Sequence, residues 1–221
     1  MRTKQAKKRL ISIYRRLYAY FGPQHWWPAE TPFEVMVGAI LTQNTSWLNV
    51  EKAIAALKQK RLLSPKKLYK ISRVNLASLI RPTGYYNIKA ERLKEFLGFL
   101  FKRYKADIKR LSLADTAGLR RELLEIKGIG QETADSILLY ALGKPVFVID
   151  AYTKRALARH HLIKEGASYE EVQGLFMGSL KPQVRLFNEY HALWVRLGKE
   201  FCLKNDRRCE GCPLAGFTDK I

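Results

Sequence analysis

The sequence predicts an all-α fold, and three observations lead there. Apolar residues recur at helical spacing, as at Leu10, Ile13, Leu17 and Tyr20 and again at Leu93, Phe96, Leu97 and Leu100. No stretch alternates apolar and polar residues in the manner of a half-buried strand, and Phe147 to Ile149, apolar enough to pass for one, reads as a buried connector. There is no internal repeat and no low-complexity segment. With 221 residues, 47% of them hydrophobic, the chain is long enough for a proper core in one domain or two small ones.

In chain order, residues 4–20 form an amphipathic helix with basic residues between its apolar ones. Phe21 to Pro32 is a turn-rich link that carries Trp26 and Trp27. As a purely structural feature the adjacent tryptophans would plug the core. Thr31 caps a helix over Pro32–Leu41, with Pro at its first position and Phe33, Val37, Ile40 and Leu41 on its apolar face. The polar cluster Thr42-Gln43-Asn44-Thr45-Ser46 then leads into a helix over Leu48–Lys60. Residues 65–81 make one or two helices, and Lys89 to about Tyr104 another.

The stretch that organises the chain follows. Leu124-Glu125-Ile126-Lys127-Gly128-Ile129-Gly130-Gln131-Glu132-Thr133-Ala134 reads as a helix end, a tight Gly-x-Gly hairpin and a new helix start. Two glycines two apart let the backbone turn sharply and leave N–H groups pointing outward. At the positive end of the next helix these suit a phosphate. A bare Gly-x-Gly can equally be an ordinary helix–helix corner; the flanking apolar residues and Thr133-Ala134 make the pattern more specific. A helix over Ser136–Leu142 and an apolar run, Val146 to Ile149, deliver Asp150 to the start of another helix, where Asp is also a favoured cap.

Forty Lys and Arg against 20 acids leave a net charge of +20. Self-repulsion of that size suggests a polyanionic partner, nucleic acid or an anionic membrane. No apolar run of about 18 residues and no lipidation signal supports the membrane, and the basic start leads into no signal-peptide core, so the expectation is a cytoplasmic protein that meets DNA. Three cysteines, Cys202, Cys209 and Cys212, make no disulfide framework. His25, His160, His161 and His191 show no metal-ligand spacing and read as core or surface residues.

The hairpin and the run into Asp150 resemble the helix-hairpin-helix DNA glycosylases of the endonuclease III superfamily. So do Leu-Thr-Gln-Asn-Thr at 41–45 and Gly-Tyr-Tyr-Asn-Ile-Lys-Ala at 84–90. The resemblance implies two helical lobes with the active-site cleft between them. Residues 22–135 would form one, with the hairpin at 124–134, and residues 1–21 plus 136–221 the other, ending in a cysteine loop at 202–218. It implies that Lys127, Gly128, Ile129 and Gly130 grip a DNA phosphate. Asn44, with Gln43 beside it, would fill the gap left by a flipped base, and Asp150 would be catalytic. The partner would be double-stranded DNA containing damaged bases, met by a monomer in base excision repair.

Cleaving a base from deoxyribose builds positive charge on the sugar, which a carboxylate near C1′ steadies while it aligns a water. Relatives that also cut the strand use a Lys amine to form a Schiff base. At that place stands Glu132, which cannot form an imine. Trp26, Trp27 and Trp47 resemble the base-pocket aromatics of endonuclease III-type 3-methyladenine glycosylases, and aromatic faces favour a cationic base. The reading is a monofunctional glycosylase for alkylated purines such as 3-methyladenine. The alternatives are a bifunctional glycosylase/lyase for oxidised pyrimidines, or a non-catalytic DNA-binding protein. Cys202, Cys209 and Cys212 reproduce the spacing of the first three ligands of the family's iron–sulfur loop, but position 218, where the fourth belongs, holds Thr218, followed by Asp219. Three thiolates plus another donor would hold a labile [4Fe-4S] cluster or zinc, and loss of the metal is the alternative.

Overall fold

A computed structural model describes residues 2–217. Its helices are α1 (Arg2–Phe21), α2 (Pro32–Leu41), α3 (Trp47–Gln59), α4 (Pro65–Lys70), α5 (Arg73–Leu79), α6 (Tyr86–Tyr104), α7 (Ile108–Leu113), α8 (Thr116–Leu124), α9 (Gln131–Ser136), α10 (Ala151–Arg159), α11 (Tyr169–Ser179) and α12 (Val184–Glu200). A 3-10 turn covers Arg81–Thr83, and α9 continues without a break as a π turn over Ile137–Ala141. The fold is all-α: the described residues contain no β-sheet, only a lone bridge between Cys202 and Arg207. None of the described helices is long and apolar enough to cross a membrane.

The chain divides into two units, Trp27–Lys144 and Met1–Trp26 with Pro145–Ile221. The boundary expected at residue 135 falls instead after Lys144, because a cut at 135 would split the continuous helix running from Gln131 to Ala141.

In the unit 27–144, α2 is the axis. Thr31 Oγ1 caps it by accepting the Glu34 N–H at 3.1 Å, and every residue from Phe33 to Leu41 is buried. Burial on all sides marks a central helix rather than the one-faced helix expected. Each large apolar side chain removed from water contributes about 1.5–3 kcal/mol. Helix α6 presents Leu93, Phe96, Leu97 and Leu100 inward as expected. It also buries Lys89, whose ammonium donates to Thr83 O at 2.7 Å. The short α7 was not foreseen: its one buried apolar side chain is Leu111, too few for a periodic signal, and its start is fixed by Asp107 accepting from the Lys109 and Arg110 N–H groups. Arg120 of α8 grips the fully buried Asp135 of α9 through two bonds, at 2.7 and 3.0 Å.

In the other unit, Leu10, Ile13 and Leu17 of α1 are fully buried, whereas Tyr20 is 55% exposed and lies edge-on to Phe21 and Phe201. The core is aromatic. Phe147 stacks on Phe176 with centroids 3.9 Å apart, Phe187 and Tyr190 of α12 meet them edge to face, and Trp194 stacks on Tyr190. Tyr190 donates its hydroxyl to Leu10 O at 2.8 Å, tying α12 to α1. The connector 146–149 is buried and not a strand. Its backbone polar groups are met by α11, where Gln173 donates to Phe147 O and Tyr169 accepts the Ile149 N–H.

Candidate active site

Asp150 ends the connector and starts α10. Its Oδ1 accepts the Thr153 N–H at 2.7 Å, the N-cap bond expected of an Asp at this place. Its Oδ2 lies 3.6 Å from Nε2 of His191, and both side chains are under a tenth exposed. Burial pushes the carboxyl upward, but His191 beside it and the Thr153 N–H outweigh that and hold it below the usual carboxylate range. The sequence gives His191 no metal-ligand spacing and no role; the structure sets it beside Asp150. Its signal lay in α12, where it sits on the face that buries Phe187, Tyr190 and Trp194.

In the other unit the hairpin is braced from below. Ile126 and Ile129 are buried, and the Ile129 N–H closes the turn on Ile126 O at 3.0 Å. Gln43 Nε2 donates to Gly128 O and to Thr133 Oγ1, each at 3.0 Å, and Gln43 Oε1 accepts from Arg92. The Gln43 amide is therefore engaged inside the protein, as a strut under the hairpin. Asn44 beside it is exposed with left-handed backbone, φ +53°.

The two hairpin glycines differ. Gly128 has φ +88°, and a Cβ there would collide with the Arg92 side chain, so the fold itself demands glycine. Gly130 has φ −93° and open space around an added Cβ. Nothing among the described residues explains its missing side chain. Glu132 is exposed in the first turn of α9. Lys127 is exposed and paired with Glu91 at 2.8 Å, which raises its pKa and keeps it an ammonium. Lys144 donates to Ala114 O at 2.6 Å.

Trp27 and Trp47 line a cavity of about 200 Å³ together with Gly38, Glu34, Glu51 and Lys58. Their rings meet edge to face at 5.1 Å, and Tyr140 lies 5.3 Å from Trp27. Trp47 donates its indole N–H to Glu51 at 2.7 Å, while Lys58 pairs with Glu34 at 2.8 Å. The Trp27 ring lies against Gly38, where an added Cβ would stand a tight 3.3 Å from it. Trp26 is not among the lining residues; it falls in the other unit, with the Lys199 ammonium 5.7 Å above its ring. The sequence reading missed Tyr140 and Glu51, which no motif announced.

Cys202, Cys209 and Cys212 sit in the loop after α12 as free thiols. Arg159 donates to Cys202 Sγ at 3.2 Å and to Leu203 O at 2.7 Å. Burial first, then the neighbouring thiols of Cys209 and Cys202, push the Cys212 thiol up. Thiols that sense one another beside a guanidinium suit a metal in type. Even so, no group of three or more His, Cys, Asp or Glu among the described residues converges closely enough to hold one. Thr218 and Asp219 lie outside the described residues.

Residues 37–182 match the family of HhH-GPD superfamily base excision DNA repair proteins. The chain is 48% identical over 209 residues to a candidate DNA repair glycosylase of Methanocaldococcus jannaschii, covering 94% of each. It is 29% identical over 188 residues to endonuclease III of Thermotoga maritima, covering 85% of this chain and 83% of that one. Among solved structures it superposes on the 3-methyladenine DNA glycosylase MagIII of H. pylori, bound there to 1,N6-ethenoadenine. The TM-score is 0.72 at 30% identity, over 90% of this chain and 97% of that one. An endonuclease III–DNA complex, at 21% identity and a TM-score of 0.79, shares the fold, with 96% and 94% covered. The chain belongs to the HhH-GPD, or endonuclease III, superfamily. It is a DNA glycosylase of base excision repair.

Proposed function

We propose that this glycosylase is monofunctional and removes alkylated purines such as 3-methyladenine from duplex DNA with water as nucleophile. The observation that carries the reading is Asp150: a carboxylate held ionised inside the protein, at the start of a helix, with one oxygen capped and the other beside an imidazole. Such a group steadies positive charge growing on deoxyribose and orients a water toward C1′. The target base must leave the stack to be reached.

Glu132 at the start of α9 supports hydrolysis over strand cutting, since no imine forms on a carboxylate. The salt bridge that keeps Lys127 protonated and the carbonyl that holds Lys144 argue against either as a substitute amine. The cavity between Trp27 and Trp47 supports a cationic base, which gains about 0.5–2 kcal/mol from each aromatic face. Glu51 on its wall adds negative charge. Gly130, whose openness nothing in the chain uses, leaves room for a phosphate at the hairpin amides. Asn44, exposed in its loop, would fill the gap in the duplex. Further backbone contacts fall to Lys204, Arg207 and Arg208; Arg207 lines a groove of about 1120 Å³ with Lys154, Arg159 and Lys164.

The family's [4Fe-4S] cluster would be held here by Cys202, Cys209 and Cys212, with Arg159 bonded to the Cys202 sulfur. The donor types suit a cluster, although the three thiols do not converge on one point among the described residues, and a fourth donor would have to come from elsewhere. When bound, the cluster would cross-link the loop 202–217 and take no part in base release.

Purified protein incubated with methylated duplex DNA releases free 3-methyladenine, identified by chromatography, and gives no adduct with borohydride. Asp150→Asn binds the same DNA and releases nothing. Adduct formation on oxidised-pyrimidine DNA, with methylated DNA left intact, would overturn the reading in favour of a lyase. Iron, zinc and sulfide analysis of anaerobically purified protein decides the metal.

A further inference from the structure

The Asp150 carboxylate has two flanks, and a different element serves each. Thr153, on its own helix, donates to Oδ1 at 2.7 Å. His191, on α12, stands 3.6 Å from Oδ2, and the two side chains are 7% and 9% exposed. The imidazole is not free to drift. Tyr190, its chain neighbour, is anchored to Leu10 O at 2.8 Å, and the Tyr190 ring stacks toward Trp194 at 5.7 Å. One turn past Trp194, Gly198 lets α10 and α12 approach until Tyr152 fills the place of a Cβ. Arg155 of α10 then clasps that end of α12, donating to Gly198 O at 3.1 Å and to Cys202 O at 2.7 Å. The two helices are locked together beyond the Asp150–His191 pair, at the Gly198 end of α12, and α12 is tied to α1 beside it.

We propose that His191 is a positioning residue for Asp150: from the flank opposite Thr153 it fixes the carboxylate in one rotamer and in its ionised form. The proposal rests on the reading of Asp150 as the group that steadies the sugar cation. A buried carboxylate without an opposing partner takes up a proton near neutral pH and loses that capacity. Several of the other ionisable groups on the elements packed here have partners of their own. Tyr190 is bonded to Leu10 O, Arg155 to the two carbonyls named, Glu189 to the Gln24 N–H at 2.7 Å, and Arg196 to Glu200. On α1, Tyr14 lies against Tyr190 and is raised by burial and by Glu189. On α10, Lys154 borders the basic groove and Arg159 is bonded to the cysteine loop.

The experiment compares wild type with His191→Phe and His191→Gln. The carboxyl titration of Asp150 is followed by carbon NMR, assigned with Asp150→Asn, alongside single-turnover base release across pH and affinity for duplex DNA. In wild type the carboxyl titrates below the ordinary carboxylate range. In His191→Phe it moves up by about one pH unit or more, which is about tenfold in the ionised fraction on the acid side. The acid limb of base release moves with it, and DNA affinity stays within about twofold. His191→Gln, which keeps a donor, recovers part of the shift. An Asp150 titration that is the same in wild type and His191→Phe overturns the proposal. If His191→Phe does not fold, His191→Gln and wild type decide: a wild-type carboxyl titrating at or above the ordinary range overturns it. Because NMR needs no turnover, a wild type that releases no base yet shows the shift sinks the glycosylase role of Asp150 and leaves the pairing standing.

Discussion

Gly198 of α12 lies so close to Tyr152 of α10 that a Cβ added to it would stand 2.6 Å from the tyrosine Cβ. Tyr152 is two residues from Asp150, and Gly198 is two turns from His191, so this crossing sets the distance between carboxylate and imidazole. Gly198→Ala forces the helices apart. Overpacking of this kind costs about 1–3 kcal/mol. Thermal unfolding is expected to show the loss, and base release to fall further than stability explains. An unchanged melting temperature would mean that the crossing is softer than it looks.

The hairpin glycines should separate stability from binding. Gly128→Ala is strained at φ +88° and collides with Arg92, so it destabilises the fold by more than about 1 kcal/mol. Gly130→Ala meets nothing in the chain, so denaturant midpoints should match wild type while affinity for duplex DNA drops. Equal affinity for Gly130→Ala and wild type would remove the phosphate role assigned to that turn.

Gln43 is expected to act through the hairpin. Gln43→Leu deprives Gly128 O, Thr133 Oγ1 and the Arg92 guanidinium of a partner each. Leaving buried polar groups unmatched costs about 1–3 kcal/mol. Hydrogen exchange should quicken at the hairpin amides in this variant, and DNA affinity should fall. Asn44→Ala, which touches none of these partners, should leave exchange at the hairpin amides unchanged, apart from the cost of placing Ala at φ +53°.

Lys89 makes stability depend on alkaline pH. Burial first and Arg92 second lower its pKa from 10.5 to about 8. The folded value lies below the unfolded one, so between them the unfolded chain binds more protons and stability rises with pH. The cost of burying the ammonium is carried in full below about pH 8 and is gone above about pH 10.5. Urea unfolding of wild type and Lys89→Met across that window checks it. The difference between the two should narrow as pH rises, and a constant difference would contradict the lowered pKa.

Much of the fold could be read from local patterns. The Thr31 cap, the buried face of α6 and the cap at Asp150 are fixed by neighbours within one or two turns, and short-range chemistry shows in sequence. The helices α7, α11 and α12 went unassigned for different reasons. Helix α7 buries too little to show a period. Helix α11 opens on a capping box, Ser168 with Glu171, and α12 carries a buried stripe, and both signals were there to be counted. Tyr20 followed the apolar spacing of α1 but ended on the surface, because spacing does not say where the core stops.

The sequence by itself determined the class of protein: a basic all-α chain, a Gly-x-Gly hairpin, an Asp at a helix start and a Glu where an amine would stand. The charge is spread over the chain, but the hairpin, the Asp and the Glu are linear features, each confined to a dozen residues or fewer. Tertiary structure alone decided that Gln43 braces the hairpin across 85 residues and that Trp27 and Trp47 share a cavity walled by Glu51. It also decided that His191, 41 positions away, stands beside Asp150. Those pairings arise from how helices cross, and helix crossings depend on the volumes of many side chains at once rather than on any one segment of the chain.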